Sequence, residues 1–112
     1  MAGRARARGH RGSWFADIDG AAYPCVHEHW LTPDFRYRDP GLRPGDKKAD
    51  ELVAALQGKK RAILTKDKVT EANGRQYFAR AGYIALFSID GVEFDRDSLR
   101  FRFVERLLNL DG

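Results

Sequence analysis

Cysteine is almost missing from this chain: Cys25 stands alone among 112 residues. One cysteine excludes an internal disulfide framework and a four-cysteine zinc site. No apolar run approaches the roughly 20 residues that a spanning helix needs. The start of the chain also lacks the apolar core of a secretory signal. Nothing resembling a glycine-rich phosphate loop, a paired-carboxylate dyad or an internal repeat is present. These absences lead to the expectation of a cytoplasmic protein with no membrane contact, and leave its function to be read from what remains.

What remains is charge, unevenly placed. Twenty basic residues against sixteen acidic ones give a net +4. Residues 1–12 hold Arg4, Arg6, Arg8 and Arg11 without a single acid, so the rest of the chain is neutral. The leader has no bulky apolar residue after Met1, and with nothing to bury it is expected to be a disordered basic arm. Such an arm can grip phosphate, although a solvated tail accounts for the same composition. Residues 13–112 form one domain on this reading, with enough apolar content (43% over the whole chain) to build one core.

The strongest pattern runs from Tyr83 to Leu107. Tyr83 to Phe87 is apolar on both faces, as in a covered central strand. Leu99, Phe101 and Phe103 then alternate with Arg100 and Arg102, and the polar joint at residues 95–98 predicts a hairpin turn. Gly91 inside the first run suits a bulge. A second hairpin is predicted at Ser13–His29 around Asp19-Gly20, with Pro24 assigning its return strand to an edge or bulge. Residues 30–45, rich in Pro and Gly, are expected to be a long loop. Asp46 to Gln57 predicts the one main helix, capped by Asp46 and stopped by Gly58, with Ala49, Leu52, Val53 and Leu56 on one face. A strand at Arg61–Thr65, a loop at Lys66–Gly74 and a short strand at Gln76–Phe78 complete the chain. The fold class that follows is α+β: a curved, mostly antiparallel sheet or small open barrel with one main helix, about residues 46–57.

Three groups of side chains invite chemistry. Cys25, His27 and His29 share one face if they lie on a strand, and Cys and His are suitable zinc ligands. A polar edge strand explains the same spacing. Cys25 with either histidine as a nucleophile and base lacks any neighbouring oxyanion feature. Arg100, Arg102 and Arg106 could track phosphates, with Trp14 and Trp30 stacking on bases. Cross-strand ion pairs, Glu93 with Arg100 and Asp90 or Glu105 with the others, are the structural counterpart of that reading.

The order of Ala62-Ile63-Leu64, the run Gly82 to Asp90, and Leu99 to Leu107 ending in Phe103-Val-x-x-Leu resembles PUA-like barrel domains of the EVE and ASCH type over residues 60–110. Lys59-Lys60 stands where those families carry Gly-Asp. The resemblance implies a small barrel that binds nucleic acid or a modified base without catalysis and without a cofactor. The leading expectation is therefore a non-enzymatic binding module for nucleic acid or a modified base, using Arg4, Arg6, Arg8, Arg11, Arg100, Arg102, Arg106, Trp14 and Trp30. The alternative is a metal-binding protein or zinc-dependent enzyme centred on Cys25, His27 and His29.

Overall fold

The computed structural model describes residues 3–10 and 13–111. The elements run β1 (Gly3–Gly9), β2 (Phe15–Ile18), β3 (Ala21–His27), a 3-10 turn (Glu28–Trp30), β4 (Arg36–Asp39), α1 (Lys47–Lys59), β5 (Arg61–Ala72), β6 (Arg75–Phe94) and β7 (Leu99–Asp111). The protein is thus mostly strand with one helix, so α+β describes it only loosely. Strands β1-β2-β3-β5-β6-β7 follow one another in a curved sheet, and a parallel pairing of β1 with β7 nearly closes it into a ring. The β3–β5 pairing is also parallel and the remainder are antiparallel. β4 lies along the same edge of β7 as β1, but at the opposite end.

Register explains where the core sits. Ile63 is opposite Leu86, and both belong to a cluster with Ala7, Ala16, Ile18, Cys25 and Leu110. Every strand of the ring contributes to this cluster, which marks it as the ring's interior. Several members are small, as a narrow barrel requires. Their neighbours Ala62, Leu64, Ala85 and Phe87 face the other way, beneath Leu52, Val53 and Leu56 of the helix. Phe101, Phe103 and Tyr37 extend that outer cluster under β4. The amphipathic helix and the strict alternation in β7 therefore serve one outer core.

The hairpin of β6 and β7 forms as its alternation predicts: Phe94 faces Leu99 across a turn in which Asp95 accepts from the Asp97 and Ser98 amides. The register shifts between Asp90 and Glu93, with Gly91 at φ 66°, so the bulge is present. Asp19 and Gly20 both take positive φ in the first hairpin turn, and the Asp46 side chain caps the helix by accepting from the Lys48 amide.

Several expectations are corrected. Gly3–Gly9 is not a disordered arm. Its Ala5 and Ala7 turn inward while Arg4, Arg6 and Arg8 face solvent, so even methyl groups suffice once two neighbouring strands supply hydrogen bonds. A Cβ at Gly9 would meet the Tyr83 hydroxyl and the Arg80 guanidinium, so any larger residue there has to displace those side-chain ends. Strand β4 sits inside the stretch expected to be loop, recruited by β7. The helix runs through Gly58 to Lys59, and Lys60 takes the left-handed cap. Pro24 is not on an edge strand. It opposes Phe15 beside the Cys25 amide bond to Trp14, a position whose N–H would point away from β2, and the β5 ladder begins only at Cys25. Finally, Lys66–Ala72 is not loop but the distal part of β5, and the strand expected at Gln76–Phe78 belongs to a much longer β6. They form a two-stranded ribbon closed by Asn73 and Gly74, both at positive φ.

Candidate functional site

β3 leaves the ring at His27, opposite Thr65 of β5, where the ribbon begins to diverge. This opening holds a cavity of about 280 Å³ faced by Trp14, His27, Asp39, Phe78 and Arg80, among others. His27 Nδ1 lies 2.8 Å from Asp67 Oδ1, and Thr65 Oγ1 donates to the same oxygen at 2.8 Å. The Asp67 side chain is 1% exposed. A carboxylate oxygen accepts, so Nδ1 is the donor to Asp67 and, in the neutral form of the ring, Nε2 is the acceptor turned away from it. Asp67 also takes the His29 amide on its second oxygen, and its own amide donates to Glu28 Oε1. The 3-10 turn and the ribbon base are thereby tied together.

Asp39, on β4, is 6% exposed. It accepts from the Gly41 amide at 2.8 Å and from the Tyr37 hydroxyl at 3.4 Å. Burial pushes its carboxyl above the ordinary value, against the opposing Gly41 bond and the nearby His27. Burial, with Asp39 beside it, also pushes the Tyr37 phenol up, which keeps that hydroxyl a donor. Arg80 works as a clamp: its guanidinium donates to Ser13 O at 2.9 Å, to His10 O at 3.4 Å and to Cys25 Sγ at 3.3 Å. Burial pushes the Cys25 thiol up to about 11, with Arg80 opposing, so the thiol keeps its proton near neutrality and is a poor nucleophile.

The sequence-predicted residues divide accordingly. Trp14, Cys25 and His27 line the cavity. His29 does not join them. The strand ends at His27, and the 3-10 turn swings His29 onto Phe78 at 4.3 Å and Trp30 at 4.7 Å. Among the described residues no group of three His, Cys, Asp or Glu side chains is placed to hold a metal ion. Trp30 is half-buried against Phe78 and the outer core, not an exposed platform. Arg4 pairs with Asp111 at 2.7 Å, Arg6 and Arg8 lie exposed on β1, and Arg11 falls outside the described residues.

The β7 arginines are engaged: Arg100 with Glu93 and Asp95, Arg102 with Asp90 at 2.9 and 2.6 Å, and Arg106 with Asn109 and over the Phe87 ring. Sequence reasoning missed Asp67, Phe78 and Arg80. Their convergence depends on the parallel β3–β5 register, which left no periodic signal. No helix is long and apolar enough to cross a membrane. No protein-family model matches the chain, and no curated protein or solved structure matches it.

Proposed function

We propose that the protein is a small non-enzymatic binding module for nucleic acid, whose cavity receives one flat heterocyclic base, modified or not. The observation that carries this is the His27 ring, fixed by a buried carboxylate at the rim of a cavity walled by Trp14 and Phe78. Aromatic walls offer the faces of a base something to lie against, and fixed polar groups read its edge. Nε2 of His27 supplies an acceptor of fixed direction. The Asp39 carboxyl, its proton affinity raised by burial, can accept or donate. A volume of about 280 Å³ lies just below the range of drug-sized pockets, which suits a single ring system better than a whole nucleotide. The protonated thiol of Cys25 leaves no activated nucleophile beside the imidazole, which favours binding over catalysis.

The test uses the two tryptophans. A Trp30→Phe variant reports on Trp14 alone, and its emission is followed while free bases, nucleosides and short oligonucleotides are added. A saturable change that His27→Ala weakens by up to about tenfold, one polar contact's worth, is expected. If no base, nucleoside or oligonucleotide alters Trp14 emission in a chain that melts like the parent, the reading fails.

A further inference from the structure

Beyond the cavity, the ribbon has two unlike faces. Cross-strand pairs Asp67–Arg80, Val69–Phe78 and Glu71–Gln76 share the face that turns toward the cavity. There Asp67 is taken by His27, Glu71 accepts from Gln76, and Arg80 is the Cys25 clamp. The opposite face carries Lys66, Lys68, Thr70 and Ala72 from β5 with Arg75, Tyr77 and Ala79 from β6. It has three cations and no acid. None of Lys66, Lys68 and Arg75 makes a hydrogen bond or ion pair with another described residue, and Tyr77 is 52% exposed. From Asp67–Arg80 to Ala72–Arg75 the ribbon projects six paired residues, about 20 Å at a strand's rise. Neither strand has a further neighbour there, since β3 pairs only as far as Thr65 and β7 only from Ala85.

We propose that this outward face docks the ribbon into the major groove of a B-form DNA duplex, with Lys66, Lys68 and Arg75 contacting phosphates. A two-stranded ribbon fits that groove, which is about 12 Å wide and 8.5 Å deep, and the ribbon is longer than the groove is deep. Lysines on an open strand edge also discourage strand addition. Edge protection would not, however, place both acids on one face, where Arg80 is engaged by Cys25 and Ser13, and leave only unengaged cations on the other. Tyr77 near the tip places a donor where base edges lie, and Lys66, Lys68 and Arg75 sit where the flanking phosphates pass. The deep, narrow major groove of A-form RNA does not admit such a ribbon. The inference rests on the nucleic-acid reading for its class of partner, but not on the cavity.

The test is a binding titration of the full chain against an unmodified DNA duplex of about two helical turns, repeated over a range of salt. Lys66→Gln, Lys68→Gln and Arg75→Gln together should lower affinity by about tenfold or more and flatten the log K against log salt slope by about 0.9 per cation removed. His27→Ala should leave this titration unchanged, because no base need enter the cavity. An unchanged slope in a triple variant that melts like the parent overturns the ribbon proposal. So does equal binding of single strands or duplex RNA. If bases still quench Trp14 while no duplex binds, the ribbon proposal falls and the cavity reading stands. If neither binds, both fall.

Discussion

Two surfaces of this molecule carry comparable numbers of cations and differ in what those cations do. On the sheet face of β4 and β7, Arg100 and Arg102 lie beside Glu93, Asp95 and Asp90, and a concavity of about 610 Å³ runs between these pairs and Arg36 and Asp34. On the ribbon, Lys66, Lys68 and Arg75 have no such neighbours. A guanidinium already held by carboxylates must break those bonds before it can meet a phosphate, so the β7 face contributes little to anion capture. An unpaired lysine has nothing to give up but water and counterions. Counting positive residues along the chain treats these surfaces as equals. Partnership separates them.

Both surfaces hang from the same outer core, so the comparison breaks completely if that core is removed. Phe87 is 4% exposed, packs edge-on against Phe103 at 5.1 Å and lies under the Arg106 guanidinium. Phe87→Ala should cost about 3–5 kcal/mol, measured by chemical denaturation, and should weaken the β7 face and the ribbon base together. A loss below about 1 kcal/mol would show that the two faces are carried by separate cores.

Asp67 is the joint between the ribbon and the ring. Asp67→Ala strands the His27 Nδ1 donor and removes the bonds from the His29 amide and the Thr65 hydroxyl, which keeps Val26 O as an acceptor, at a cost of about 1–3 kcal/mol. Base binding in the cavity should fall with it. Asp67→Asn retains an acceptor oxygen and should recover part of the stability. Were Asp67→Ala to leave both stability and the Trp14 signal intact, the imidazole would not be held as described.

What could be read beforehand follows the same division between local and distant causes. The β6–β7 hairpin announced itself because Leu99, Phe101 and Phe103 alternate with arginines, and because Gly91 interrupts an apolar run. The pairing of Arg100 with Glu93 and of Arg102 with Asp90 was legible too, since folding about residues 95–98 fixes which residues meet. β1 was not, because its buried face is made only of alanines, and alanine beside arginine reads as unstructured. The ribbon also escaped notice. Residues 68–77 bury nothing, so no period marks them, and their strand character is inherited from the apolar halves of β5 and β6. At the cavity Trp14 and His27 could be singled out by type. Asp67 could not, because only a parallel register forty residues away brings it to His27.

The finest distinction between the buried and exposed polar groups lies in acid solution. Asp39 is buried and its carboxyl is pushed above the ordinary value of 3.8. The unfolded chain then releases that proton first, so stability falls as pH rises from 3.8 to the folded value and is level beyond it. Asp90 is the reverse case: its hydrogen bonds from Arg102 hold the carboxyl below 3.8. Its contribution is complete above 3.8 and is lost as pH falls through the folded value. Thermal melts between pH 2 and 7 should separate the two. Asp39→Asn, which can still accept from the Gly41 amide, should remove the decline above 3.8 and leave the acid limb. Arg102→Gln should soften the acid limb by a smaller amount, since that pair is exposed, and leave the decline in place. If both variants change the same limb, burial does not distinguish these carboxylates, and the contrast between engaged and unengaged charge would have to rest on the ribbon alone.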